Sequence, residues 1–166
     1  KNRDDFSIYK IANPDTDKAS VIAEKINFLL PKDMKSEDFE AFFLFKGYFY
    51  VFSKENKTSK LIKVPNQIGK HTAELVTDFN LAGKHHKITS ADVSDDGKTI
   101  VLLNHDKLWK ITNFKDDNFF KGTIEELKFD HDSQKEGICF KDNSTVLITD
   151  ESDSKLGSNI YSFKLN

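Results

Sequence analysis

Ile88-Thr89-Ser90-Ala91-Asp92-Val93-Ser94-Asp95-Asp96-Gly97-Lys98-Thr99-Ile100-Val101-Leu102-Leu103 reads as two short apolar-rich runs joined by an acidic turn. Asp-Gly between two such runs is a strong hairpin signal, because glycine supplies the positive φ that a tight reversal needs. Two further runs follow, Leu108 to Ile111 and Ile124 to Phe129, and neither has helical periodicity. Runs this short, bounded by turn residues, predict strands rather than helices. Residues 88–129 therefore predict a sheet of four antiparallel strands.

The same pattern recurs on both sides. Upstream, Phe39 to Phe45, Tyr48 to Ser53, Leu61 to Val64 and Leu75 to Leu81 make a second set of four runs, over residues 39–81. Downstream, Gly137 to Phe140, Val146 to Thr149 and Ile160 to Leu165 make three, over residues 135–166. Phe6 to Ile11 and Val21 to Leu30 stand before them, within residues 1–30. The spacing is about 45–50 residues, the range of a propeller blade. The expected fold is all-β: an incomplete β-propeller of about three to four antiparallel blades forming one segment, 1–166. Residues 1–30 read as the third and fourth strands of a blade whose first two are missing, and the last unit lacks a fourth strand. Open sheet edges invite pairing. Another polypeptide segment or subunit is therefore expected to complete the ring.

Several pieces, in order, resemble a bacterial β-propeller family of secreted and envelope proteins of the Bacteroidetes type. Its members are described as esterase-like or phytase-like, or as having no known function. The pieces are Asn2-Arg3-Asp4-Asp5-Phe6-Ser7-Ile8-Tyr9-Lys10-Ile11, Asp38-Phe39-Glu40-Ala41, Tyr48-Phe49-Tyr50-Val51-Phe52-Ser53-Lys54, Ile88 to Lys98 and Lys135-Glu136-Gly137-Ile138. The resemblance implies a secreted, periplasmic or outer-membrane-associated protein. It also implies that roughly the first third to two-fifths of a ring lies outside this sequence. The chain opens on Lys1-Asn2-Arg3 rather than Met, and its true N-terminus is expected elsewhere.

An acid recurs near the start of each unit: Glu40 with Asp38, then Asp92, then Glu136. First strands line a propeller's channel, so these carboxylates are expected in a partial ring at one mouth. Clustered carboxylates repel one another, and they invite a hard cation such as Ca²⁺ or a cationic ligand. The competing reading is that they hydrogen-bond backbone amides of the neighbouring blade. The acidic loop Asp150-Glu151-Ser152-Asp153 offers a secondary cation site through Asp150 and Asp153, or a plain surface turn. Asn13, Asp15 and Asp17 have the alternate spacing of a calcium loop, with Glu24 at the twelfth position, but Pro14 and Lys18 break it.

Other chemistry is sparse. No His-x-Glu or His-x₃-His spacing suggests zinc, and no Gly-x-Ser-x-Gly elbow suggests a serine hydrolase. Arg3 is the only arginine, and the net charge is -2, so nucleic acid is not an expected partner. No apolar run is long enough for a membrane span. Cys139, the only cysteine, reads as a small buried hydrophobe, and Trp109 as core. A non-enzymatic binding or interaction module is the expected function. The alternatives are a calcium-dependent phosphoesterase or esterase-like hydrolase, and a subunit of a secretion or surface assembly.

Overall fold

The computed structural model describes residues 5–14, 20–35, 37–55, 58–81, 87–152 and 158–166. It is all-β. Strands β1 (Phe6–Lys10), β2 (Glu24–Leu29) and β6 (Gly69–Thr72) form a first sheet in the order β1-β2-β6. A second holds β3 (Phe39–Phe45), β4 (Tyr48–Ser53), β5 (Ser59–Pro65) and β7 (Glu74–Phe79) in that order. The third runs β8 (Ser90–Val93), β9 (Ile100–Leu103), β10 (Lys107–Thr112), β11 (Thr123–Lys128). The fourth runs β12 (Lys135–Asp142), β13 (Thr145–Asp150), β14 (Ile160–Lys164). A short 3₁₀ turn, Phe119–Lys121, precedes β11.

All four residues of β9 are completely buried. Successive side chains of a strand point to opposite faces, so a strand buried throughout must be covered on both. Ile100 and Leu102 enter a core shared with Ala41, Phe43, Tyr50 and Phe52 of the second sheet. Val101 and Leu103 enter another, with Ile138, Val146 and Ile148 of the fourth. β4 divides in the same way: Tyr50 and Phe52 face the third sheet, while Phe49 and Val51 pack with Ile8, Ile26 and Phe28 of the first. Fully burying one such side chain stabilises by about 1.5–3 kcal/mol.

The outer members of the series show the contrast. In β13, Val146 and Ile148 are buried, whereas Leu147 is only half-buried and Thr149 is exposed. Cys139 lies on the outward face of β12 and is exposed, which corrects the expectation of burial. Its neighbours Ile138 and Phe140 face the third sheet instead. Trp109 is core, at 2% exposure.

Each sheet thus packs on its sequence neighbours, and the first strands lie side by side, β3 against β8 and β8 against β12. This is the blade arrangement of a β-propeller.

One element has no counterpart in the sequence reading. After Pro65 the chain leaves the second sheet, pairs β6 in parallel with β2, then returns as β7. β6 carries no apolar alternation and is mostly exposed, so nothing in its residues marks it as a strand.

The Asp-Gly hairpin has a turn of six residues, Ser94 to Thr99, between β8 and β9. The Ser94 amide donates to Thr99 O at 2.9 Å and the Gly97 amide to Ser94 O at 2.8 Å. Asp96 Oδ1 accepts from Ser94 Oγ at 2.8 Å and from the Lys98 amide at 3.1 Å. Gly97 sits at φ +68°, and a Cβ there would meet Phe45 of the second sheet at 2.8 Å. Gly97→Ala is expected to destabilise by about 1–2 kcal/mol through the left-handed backbone alone. Urea unfolding of the variant measures it, and an unchanged midpoint would refute the strained-turn reading.

Candidate functional site

Glu40 and Glu136 occupy equivalent places. Glu40 lies at a register irregularity between the pairs Phe39↔Ser53 and Ala41↔Phe52. Glu136 lies at another, between Lys135↔Asp150 and Gly137↔Thr149. An extra residue at such a point is left out of the ladder and re-aims its side chain. Glu40 pairs with Lys54. Glu136 meets Nε2 of His105, from the third sheet, at 3.2 Å. The exposed Asp38 contributes its backbone carbonyl, which accepts from the Lys54 amide at 2.7 Å.

Asp92 does not join them. It lies within the regular ladder of β8, opposite Val101. Its Oδ2 accepts from the Phe140 amide of β12 at 2.7 Å, and its Oδ1 from the Val93 amide at 2.9 Å. Burial pushes its carboxyl above the ordinary aspartate range, against the opposing pull of those two hydrogen bonds. Neighbouring ties do the same work: Ser90 Oγ accepts from the Ile138 amide at 3.2 Å, and Thr89 Oγ1 donates to Lys135 O at 2.7 Å. Asp92 therefore binds one blade to the next, as the competing sequence reading held.

Asp150 is also engaged within the protein. Tyr161 donates its hydroxyl to Oδ2 at 2.7 Å, and the Asn159 amide donates to Oδ1 at 2.9 Å. The Tyr161 hydrogen bond, foremost, holds its carboxyl down at about 2. Asp153 and the Asp15 and Asp17 positions lie outside the described residues. A carboxylate depressed in this way contributes stability in full above about pH 5, and loses it as pH falls through its folded value. The stability gap between the parent and Asp150→Asn should accordingly close between about pH 5 and pH 2. A gap that stays constant over that range would show that the carboxylate is not held as described.

Sequence reasoning missed Lys135. Its side chain is buried at 1% exposure. Nζ donates to His105 O at 2.9 Å, His131 O at 3.1 Å and Ser133 Oγ at 2.9 Å, which uses all three of its protons. It also lies 4.9 Å from the Phe129 ring centroid. Burial pulls its ammonium below the ordinary lysine range. The only hint in the sequence is its place in the Lys-Glu-Gly-Ile motif.

Between these groups lies a polar cavity of about 160 Å³, lined by Lys54, Lys87, Thr89, Asn104, His105, Asp106 and Asp132. Cationic and anionic groups both face it. One oxygen of Asp106 is buried without a hydrogen-bond partner. Calcium requires several oxygens converging on one point. Among the described residues no group of three or more His, Cys, Asp or Glu side chains is placed to hold a metal ion. Glu40, Asp92, Glu136 and Asp150 are each tied to a protein partner. Among the described residues no helix is long and apolar enough to cross a membrane.

No family model and no curated protein matches the chain. Among solved structures, one that it resembles is Kluyveromyces lactis Hsv2, at 11% sequence identity and a TM-score of 0.49. The match covers 88% of this chain and 46% of that one, so the chain spans less than half of that protein's length.

Proposed function

We propose that this chain is a non-enzymatic binding or interaction module built on propeller blades, completed by another polypeptide segment or subunit. The observation that carries the reading is the employment of its carboxylates. Glu40, Asp92, Glu136 and Asp150 hold lysine, backbone amides, histidine and tyrosine, respectively. They act as fasteners within and between blades. A rigid scaffold with a mixed-charge cavity and open strand edges suits recognition rather than bond cleavage. The location we propose, secreted, periplasmic or outer-membrane-associated, is what the resemblance of the sequence motifs to a family of envelope propellers implies.

Two measurements test this together. A panel of generic phosphoesters and esters should show no turnover above buffer, with or without calcium. Added calcium should leave the unfolding temperature unchanged, in the parent and in a Glu40→Ala, Asp92→Ala, Glu136→Ala variant alike. Turnover that depends on those acids, or a calcium stabilisation lost in the triple variant, would replace this reading with the calcium-dependent hydrolase.

A further inference from the structure

We propose that the polar cavity beside the β9–β10 turn binds a compact zwitterion, a free amino acid of a few carbons. The inference rests on the binding-module reading above and names the ligand class of that module. Lys54 reaches the cavity from the end of β4, Lys87 and Thr89 from the approach to β8, and Asp132 from the approach to β12. Asn104, His105 and Asp106 are the turn itself.

That turn is fixed from several sides. Asn104 is buried; its side-chain amide donates to Lys87 O, and its backbone amide to Lys107 O at 2.9 Å. Lys135 Nζ donates to His105 O at 2.9 Å, and the Phe129 amide to Asp106 O at 3.0 Å. Thr89, also buried, spends its hydroxyl on Lys135 O. A wall held at so many points presents the Asp106 side chain in one place. Preorganisation of this kind lowers the cost of binding.

The charges of the lining decide the ligand. Two of them are spent on protein partners: Lys54 pairs with Glu40, and His105 Nε2 meets Glu136 at 3.2 Å. Three are not. One oxygen of Asp106 is buried without a hydrogen-bond partner. The side chains of Lys87 and Asp132 are exposed and form no hydrogen bond or ion pair among the described residues. A buried carboxylate oxygen calls for a donor. A ligand ammonium supplies one in its strong, charge-assisted form, and Asp132 adds a second negative group to receive it. Lys87 is left to receive a carboxylate. A simple amine would leave Lys87 unmet, and a simple acid would leave Asp106 unmet. Size narrows the choice, since a cavity of about 150 Å³ holds a benzene-sized molecule. At about 160 Å³, this one admits a small amino acid and is too small for a nucleotide or an oligosaccharide.

The test titrates the full chain with alanine and follows its backbone amide NMR signals. Saturable shifts are expected at Thr89, Asn104, His105 and Asp106. N-acetylalanine lacks the cationic amine and alaninamide lacks the carboxylate, so each should bind more weakly than alanine by about tenfold or more. Asp106→Asn keeps the side chain's shape and removes its charge, and should weaken alanine by about tenfold. Lys87→Met should do the same, and because it alters an exposed residue it leaves the fold intact. Three results would each overturn the proposal: no saturable shift at these amides, either blocked compound binding as tightly as alanine, or undiminished alanine binding in Lys87→Met. None of them touches the non-enzymatic reading, which the turnover panel decides separately.

Discussion

Replacing Phe119 with alanine is expected to cost about 3–5 kcal/mol of stability, the range for truncating a large aromatic in a packed core. The ring is 1% exposed. It stands edge-on to Tyr50 at 4.9 Å and to Phe114 at 5.2 Å, with Phe43 at 5.8 Å and Phe45 at 6.1 Å. It belongs to the connection between β10 and β11, yet most of its ring partners come from the second sheet. The side chain therefore plugs the space between two blades. Truncation leaves a cavity that strands anchored on both sides cannot collapse to fill. Urea unfolding should give a lower midpoint with an unchanged slope. Ile22→Ala, at a residue 96% exposed, should stay within about 0.5 kcal/mol of the parent. A Phe119→Ala loss as small as that of the Ile22 control would show that the ring does not sit between blades.

Lys135→Met is expected to cost about 2–4 kcal/mol, since it leaves two carbonyls and a hydroxyl without their donor. Two effects oppose each other. Methionine has similar reach and removes the cost of desolvating an ammonium, which favours the variant. The three stranded acceptors lose their common partner, and each loss in a buried setting costs more than a typical hydrogen bond gains. The acceptors prevail because the ammonium ties the His105 turn to the 131–133 segment, joining the third sheet to the approach to β12. The loss should accompany faster amide exchange at the start of β12. A Met variant as stable as the parent would mean that the hydrogen bonds merely offset desolvation.

The strands were legible because strand burial leaves a mark in the residues. Phe39–Phe45, Tyr48–Ser53 and Ile100–Leu103 have the bounds expected of them. The runs of β4 and β9 are continuous because both faces of those strands are covered, whereas β3 buries only Ala41 and Phe43. β6 left no such mark, being an exposed strip held by backbone pairing to β2. The Phe119 plug was equally hidden, since Asn118-Phe119-Phe120-Lys121 reads as part of a connection until its ring partners are known.

The site was legible only as residue types. Recurring acids at the starts of units are visible in the sequence, and Glu40 and Glu136 do share one position. Asp92 recurs in the motif but enters the ladder further along, where it faces β12. Its role depends on Phe140, 48 residues away, and that of Glu136 on His105, 31 residues away. Contacts of that range follow from how blades meet, which no local pattern encodes. Lys135 is the extreme case, a lysine whose ammonium is buried among backbone carbonyls.

Everything above depends on sheets that meet only their neighbours in sequence. Nuclear Overhauser contacts between side chains of the intact chain test this most directly. The Phe140 amide should contact the Asp92 methylene, and the Phe119 ring should contact Tyr50 and Phe43. Val146 and Ile148 should contact Val101 and Leu103, but not Phe49 or Phe52. Direct contacts between β13 and β4 that bypass the third sheet would instead describe a two-layer sandwich, and the blade arrangement would be wrong.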